Sequence, residues 1–363
     1  MLVDETLVGN TRLLLQQRLQ LVHSRYVGLQ QLRQHDLKLI ANIKLIQQRG
    51  ITPEMPLWLQ WIANTSNQQL SLIELEQFLM AEPAWLLLHE IKALLQPEWL
   101  IRFIANMQRN SDAKNSELFW PLAIRLQLKL DPFHFSQPIN AAAIWYVACS
   151  AQPELHSKLV GYSAKLPADD LLLPLVHTAI YSYQNSNCNS EWSAENNYCE
   201  VDLVQQLVKT EQLQAAQLIL LLTAATETKQ NDIITLLINN INTQSLAILA
   251  LAITGKTKFI TLLLELAQQP QTSEAAADSL ACILGVIEAD TLLCDVSQLA
   301  NLNLDATTKY LSGKALSSAT LGKIWQQGNQ QQRRIAACYA RLSNNNISWR
   351  EPDTLLGGIW HNQ

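Results

Sequence analysis

Thr254-Gly255-Lys256-Thr257 is the segment whose residue types come nearest to a reactive site, because a phosphate-binding P-loop ends with glycine, lysine and a hydroxyl residue. The backbone amides and the lysine of that loop surround the phosphates of a nucleotide. The full pattern also requires glycine at position 250, where this chain has Ala250, and a preceding strand, whereas the 30-residue repeat of the second half places a helix at 244–254. The segment therefore predicts a helix-ending turn, and we expect Lys256 to bind no nucleotide.

His89-Glu90 begins like the zinc-protease helix, in which a second histidine four residues on completes one metal-binding face. Ala93 occupies that position. The pair therefore predicts the edge of an amphipathic helix, with His89 partly buried and hydrogen-bonded. Because the seven histidines are spread along the chain, no nucleophile and base can be paired from the sequence. We expect no catalytic residues, no cofactor and no metal site, and hence not an enzyme.

Cys188 and Cys199 flank an asparagine-rich stretch, and their spacing matches no common zinc pattern. Two free loop thiols are the simplest interpretation, with a disulfide or a metal ligand pair as alternatives. Four other cysteines lie in apolar or amphipathic stretches, where a reduced thiol packs like a small hydrophobe. These are Cys149, Cys282, Cys294 and Cys338. This usage predicts a reducing, cytoplasmic environment.

Arg333 and Arg334 follow three glutamines on a predicted helix and could contact a carboxylate or a phosphate, although a solvated helix face is more common. Adjacent residues on a helix diverge by about 100°, so we expect one arginine to be anchored against a neighbouring helix and the other to be free to bind a protein. The tryptophans of the first half should be mostly core, with one or two as binding anchors if exposed. They are Trp58, Trp61, Trp85, Trp99, Trp120 and Trp145.

Charge and hydropathy restrict the partners of the chain. Its 26 Lys and Arg against 31 Asp and Glu give a formal net charge of -5, so no broad positive field exists to collect phosphates, and we expect no nucleic-acid partner.

The first residues lack the positive start and apolar run of a secretory signal. The most apolar segments, 213–225 and 245–254, are shorter than the roughly 20 apolar residues that cross a bilayer. We expect no membrane insertion.

Apolar residues recur with helical spacing almost everywhere, and prolines stand near the starts of these segments, where the first helical turn has no use for an N–H. No stretch alternates like a strand, so the sequence predicts an all-α protein. The polar, asparagine-rich loop at 183–200 is taken as the main boundary. We expect an N-terminal helical region at 1–182, a helix-pair repeat region at 201–345 and a tail at 346–363.

The second half repeats itself. An apolar helix is predicted to open near residues 214, 244 and 274, which are 30 residues apart, and Gly255 and Gly285 are expected to end two of these helices. The predicted pairs are 211–226 with 230–240, and 244–254 with 257–268. A period near 30 with two helices per unit is typical of an α-solenoid, in which each pair buries one face by stacking on its neighbours. The unit length and the apolar first helices favour HEAT-like repeats. The first half could continue the solenoid or form a separate bundle.

Three stretches resemble a HEAT-repeat family encoded in bacterial type VI secretion gene clusters, of which this chain would be a divergent member. They are Asp36 to Ile46 before Gly50, Ala276 to Gly285, and Tyr310-Leu311-Ser312-Gly313 followed by Gly328 to Ala337. The second stretch departs from the family pattern, with Ala277 in place of glycine, Asp278 in place of glutamate and Leu280 in place of phenylalanine. The resemblance implies a role beside the secretion spike, its tip proteins or their effectors, and transfers no catalytic residue.

These observations favour a non-enzymatic scaffold or adaptor that binds a protein partner, with Arg333 and Arg334 as the candidate protein-binding residues. One alternative is a HEAT-like nucleic-acid-binding protein or an enzyme of the DNA-glycosylase solenoid type, which needs a basic concave groove and a catalytic acid. The net charge argues against it. A structural solenoid unrelated to secretion is the other alternative.

Overall fold

The computed structural model of the chain describes residues 2–50, 55–63, 82–109, 113–131, 139–184, 199–343, 349 and 351–357. Within these ranges the backbone is almost wholly helical, apart from turns and one short β-hairpin, which confirms the all-α prediction. The chain forms two compact units. Unit 1 comprises residues 1–137 and 350–359, and unit 2 comprises residues 138–349 and 360–363.

In unit 1, helix α1 packs along α2, and α4 packs against α3, α5 and α6. Apolar side chains spaced for one helical face, such as Leu32, Leu39 and Ile43, bury completely, which fixes the face of α2 that points inward. Gly50 ends this helix with a φ of +86°. The helices are α1 (Leu2–Leu21), α2 (Leu29–Arg49), α3 (Leu57–Ala63), α4 (Glu82–Leu95), α5 (Pro97–Arg109) and α6 (Ala113–Arg125).

Unit 2 continues the helical chain and ends in a hairpin of strands and a hairpin of helices. Its helices are α7 (Ala141–Cys149), α8 (Pro153–Ser163), α9 (Leu173–Gln184), α10 (Glu200–Lys209), α11 (Ala215–Ala224), α12 (Glu227–Ile238), α13 (Gln244–Ile253), α14 (Ile260–Ala267), α15 (Ser273–Leu284), α16 (Val286–Cys294), α17 (Ser318–Gln327) and α18 (Gln330–Ser343). The two strands, β1 (Tyr310–Leu311) and β2 (Lys314–Ala315), pair antiparallel.

The four helices predicted from the 30-residue offset are present as α11, α12, α13 and α14. Helix α11 packs against α13, and α13 packs against α15, so equivalent first helices lie side by side. Their sequences are apolar on nearly every side because each is covered by neighbours, as in the fully buried run Leu218 to Leu222. Gly255 follows α13 with a φ of +66° and Gly285 ends α15 with a φ of +93°, which confirms both as helix-ending residues.

The division of the chain differs from the boundary placed at 183–200. Helix α9 packs against α7 and α8 and also against α10 and α11, so residues 141–184 belong to the same compact unit as the repeats. Most of the loop, 185–198, lies outside the described residues. The tail predicted at 346–363 is divided as well, because residues 351–357 pack in unit 1.

The β-hairpin closes the C-terminal ends of two first helices in unit 2. The amides of Ser312 and Gly313 donate to the carbonyls of Cys282 and Ile283 at 2.8 and 2.9 Å, and the amide of Tyr310 donates to the carbonyl of Gly255 at 2.7 Å. The last carbonyls of a helix have no partner within it, and these amides supply one. The Tyr310-Leu311-Ser312-Gly313 stretch is therefore a helix-capping device.

Candidate protein-binding surface

An apolar groove of about 430 Å³ lies between α12, α13 and α14 in unit 2. Ile248 and Leu251 of α13 form its floor, whereas Ile241 and Ile238 stand at its edge with 88% and 58% of their surface exposed. Leu262 of α14 faces the groove and is 38% exposed. Burying an isoleucine or leucine side chain is worth about 1.5–3 kcal/mol, so this edge provides binding free energy to a partner that covers it.

The turn between α12 and α13 holds Ile241 outward. The Asn240 side chain accepts a hydrogen bond from the amide of Asn242 at 3.0 Å, and the Thr243 hydroxyl donates to the carbonyl of Leu237 at 2.8 Å. Thr243 is buried while Ile241 is not, so the polar residue anchors the turn and the apolar residue is left at the surface. Apolar side chains are usually buried and polar ones exposed, so the exposed Ile241 beside the buried Thr243 is a candidate contact site.

The P-loop-like segment is a turn between two helices, as its missing glycine indicated. The amide of Gly255 donates to the carbonyl of Ala252 and the amide of Lys256 donates to the Thr254 hydroxyl, so these two amides are used within the turn. The Lys256 ammonium lies 2.5 Å from a carboxylate oxygen of Glu227, at the start of α12. Lys256 thus links successive helix pairs.

The two candidate arginines have different surroundings. Arg333 is fully buried, donates to the carbonyl of Trp325 at 2.9 Å and to Oε1 of Gln330 at 2.6 Å, and lies 4.3 Å above the Trp325 ring. A partner cannot reach this side chain, so Arg333 is removed from the candidate binding residues. Its anchoring between α17 and α18 confirms that one of the two arginines packs against a neighbouring helix. Arg334 is half-buried, and a binding role for it stays a prediction.

His89 lies in an aromatic cluster at the centre of unit 1. Its ring is buried among Trp61, Trp85 and Trp99, and Nδ1 donates to the carbonyl of Trp85 at 2.8 Å. Burial lowers its pKa to about 4, against the opposing effect of the Trp85 hydrogen bond, and the charge of Lys92 lowers it further. The imidazole is therefore a neutral core group at physiological pH. It is more deeply buried than the sequence predicted, and most of the first-half tryptophans are core as expected.

Unit 1 contains a polar site that was not predicted from the sequence. In unit 1, Arg18 of α1 pairs with Asp36 of α2 at 2.5 Å, and Arg125 of α6 pairs with Glu90 of α4 at 2.6 Å. Arg18, Asp36 and Glu90 are each at most 2% exposed. A weak signal was available, because Asp36 stands four residues from both Leu32 and Ile40 on the apolar face of α2.

Both ion pairs bind the backbone of the C-terminal segment, residues 351–357. Nη2 of Arg18 donates to the carbonyls of Asp353 and Thr354 at 3.0 Å each, and Nη2 of Arg125 donates to the Asp353 carbonyl at 2.8 Å.

The carboxylates of the two ion pairs accept hydrogen bonds from the same segment. The amide of Leu355 donates to Glu90 at 2.9 Å, and the amide of Leu356 donates to Asp36 at 2.7 Å. The site thus binds two successive carbonyls and the two amides that follow them.

Within the described ranges, no three His, Cys, Asp or Glu side chains come close enough together to hold a metal ion. Cys199 is a half-buried free thiol, and Cys188 lies outside the described residues. Burial raises the pKa of Cys282 and of Cys338 to about 12, so both thiols stay protonated and pack as small apolar groups.

Comparison with known proteins finds no match for this chain among family models, curated proteins or solved structures. In the described part of the chain, no single helix has both the length and the hydropathy to cross a membrane. Residues 227–238 and 241–253 meet those criteria only when taken together, and they are bent by 114°.

Proposed function

We propose that the chain is a non-enzymatic adaptor that binds another protein through the apolar groove of unit 2. The observation that supports this most directly is the row of Ile238, Ile241 and Leu262, three exposed apolar side chains around a preformed groove. The chemistry fits an apolar face of a partner helix or loop, because the floor is aliphatic and polar groups such as Asn239 and Gln244 stand only at the rim.

The repeated packing of α11, α13 and α15 supports a HEAT-like solenoid as the frame for this groove. In a solenoid each helix pair is positioned by its neighbours, so the stacking of adjacent pairs is enough to hold a surface that they form together. The sequence resemblance adds a biological setting to the proposal: an accessory role in type VI secretion, in the bacterial cytoplasm, with a spike, tip or effector protein as the partner.

The test is co-purification of the full chain from its native bacterium, followed by variants of the groove. Ile241→Asp puts a charge where the partner's apolar surface must lie, and we expect it to weaken the complex by at least about tenfold, since desolvating an unpaired carboxylate costs more than 1.4 kcal/mol. Ile287→Asp is the matched control, because Ile287 is 78% exposed on α16 and does not line the groove. Both variants should unfold at the same denaturant concentration as the unchanged chain.

Arg334→Glu extends the same experiment to the predicted binding residue of α18. A loss of partner in Arg334→Glu but not in Ile241→Asp would place the contact on α18 and overturn the groove assignment. Recovery of nucleic acid would contradict the adaptor proposal itself, whereas equal loss in the Ile287→Asp control would contradict the groove assignment.

A further inference from the structure

The two-ion-pair site of unit 1 is complete without the C-terminal segment that it holds. Arg18 has Asp36 as its own carboxylate partner, and Arg125 has Glu90. Removing residues 351–357 therefore leaves two neutralised ion pairs. Removal of a binding partner usually destabilises a protein when it leaves a buried charge uncompensated, and no such charge is left here. A site of this kind exists before its ligand binds.

The site recognises the segment through backbone groups. The two guanidinium groups donate to the carbonyls of Asp353 and Thr354, and the two carboxylates accept from the amides of Leu355 and Leu356. The side chain of Arg33 adds a hydrogen bond to the carbonyl of Leu356 at 2.9 Å. Any peptide that presents two carbonyls and then two amides in this turn can make the same contacts, whatever its side chains.

The charges that line the site favour an acidic ligand, because the guanidinium groups of Arg18, Arg33 and Arg125 outnumber the carboxylates of Asp36 and Glu90. Burial alone lowers the pKa of Arg125, yet its pKa lies above the usual value because Glu90, and then Asp353 and Glu351 of the segment, place negative charge near it. The carboxylates of the segment thus add to the attraction that the backbone contacts supply. A neutral or basic peptide would lose this contribution.

The chain's own segment fits the site at a conformational cost. Leu356 has a φ of +58°, the left-handed region that a residue with a side chain rarely adopts. The Thr354 hydroxyl is buried with no hydrogen-bond partner among the described residues. Another peptide without these two costs would compete for the site.

We propose that unit 1 carries a binding site for an acidic, non-helical peptide of a partner protein, and that the chain's own residues 351–357 occupy this site until that peptide displaces them. The inference rests on the proposed adaptor function in one respect, namely that a partner supplies the peptide. Its residues lie in unit 1 and the groove residues lie in unit 2, so either proposal can fail while the other stands.

The experiment uses the full chain and a fluorescently labelled peptide with the sequence Glu-Pro-Asp-Thr-Leu-Leu-Gly, capped at both ends. Leu356→Pro removes the amide that donates to Asp36 and cannot adopt a positive φ, so it releases the resident segment without altering the site. We expect this variant to bind the peptide at least about tenfold more tightly than the unchanged chain, by fluorescence anisotropy. Leu356→Gly suits the left-handed conformation and should bind the peptide no better than the unchanged chain.

Changes in the peptide test recognition without any risk to the fold of the protein. Methylation of the two leucine amide nitrogens removes both donors to the carboxylates and should weaken binding to the Leu356→Pro chain by at least about tenfold. Replacing the peptide aspartate with lysine should weaken binding as well. Equal affinity of the methylated peptide, or no gain in the Leu356→Pro chain with unchanged circular dichroism, would overturn the proposal.

Native-state hydrogen exchange on the unchanged chain provides a measurement that needs no variant. The amides of Leu355 and Leu356 should exchange through a local opening, faster than the core amides of α2 and at a rate independent of unfolding of unit 1. Exchange of these two amides only with global unfolding would show that the segment does not leave its site. Concentration-dependent dimers that disappear in Leu356→Pro would assign the site to a second copy and overturn the partner assignment.

Discussion

Lys92 places an ammonium group inside the aromatic cluster of unit 1. Its side chain is fully buried, with Nζ 4.1 Å from the centroid of the Trp61 ring and 5.3 Å from that of Trp99, and it donates to the carbonyl of Trp61 at 2.6 Å. The rings offer a cation–π attraction that replaces part of the lost hydration. Burial nevertheless lowers the pKa of Lys92 from 10.5 to about 8.

The stability of unit 1 should consequently depend on pH through this residue. The unfolded chain holds the Lys92 proton up to about pH 10.5 and the folded chain up to about pH 8, so the unfolded state binds more protons between these values and stability rises with pH there. Below about pH 8 the cost of the buried charge is fully present. We predict that the free energy of unfolding of the unchanged chain, relative to Lys92→Met, increases from pH 8 to pH 10.

Urea unfolding of both chains at several pH values measures this difference. Lys44→Met is the control for the loss of a lysine, since Lys44 is exposed on α2. A Lys92→Met difference that does not change with pH would show that the ammonium is not desolvated in the folded chain.

At the scale of the element, the β-hairpin of unit 2 depends on Gly313. This residue has a φ of +70°, and a Cβ atom added to it would lie 2.5 Å from the carbonyl oxygen of Leu284. The carbonyl belongs to the C-terminal turn of α15, which the hairpin caps, so neither group can retreat without losing the capping hydrogen bonds. Position 313 therefore requires glycine, because a side chain there would be strained by the positive φ and would overlap the Leu284 carbonyl.

We predict that Gly313→Ala lowers the free energy of unfolding of unit 2 by about 2–4 kcal/mol, because strain and overlap act together. Gly161→Ala is the matched control, since Gly161 lies on the exposed side of α8 with nothing within 4 Å of the added methyl group. That variant should be more stable by about 0.5–1 kcal/mol, as expected for alanine in a helix. Denaturant unfolding of the two variants gives the comparison, and similar effects would contradict the close contact at Gly313.

The sequence predicts the helices well and the polar contacts poorly, for a physical reason. The equal offsets of 214, 244 and 274 and the glycines at 255 and 285 are local signals, and helix ends are set by local backbone conformation. The pairing of Arg18 with Asp36, and of Glu90 with Arg125 35 residues away, depends on tertiary packing that no spacing rule contains. The sequence predicts that one of Arg333 and Arg334 is anchored against a neighbouring helix but not which one, since the helical period alone does not say which face is covered.

At the scale of the whole molecule, the division into two units assigns the ends of the chain differently from the sequence-based domains. Unit 1 joins residues 1–137 to the segment 350–359, and unit 2 contains α7 to α18. Cooperative unfolding follows shared cores, so helices that share a unit should lose protection from hydrogen exchange together. The two divisions make different predictions for the helices of residues 141–184.

We predict that Leu39→Ala, which removes a fully buried side chain of α2 at a cost of about 2–5 kcal/mol, accelerates amide exchange in α1, α2 and α4 together. Exchange in residues 141–184 should stay unchanged, because these helices pack with the repeats of unit 2. Leu220→Ala, a buried leucine of α11, is the reciprocal control and should accelerate exchange in α7, α9 and α13 but not in α2. Peptide-resolved mass spectrometry provides the readout. If Leu39→Ala also accelerated exchange in 141–184, the boundary would lie nearer 183–200, because the core of the N-terminal unit would then extend through α9.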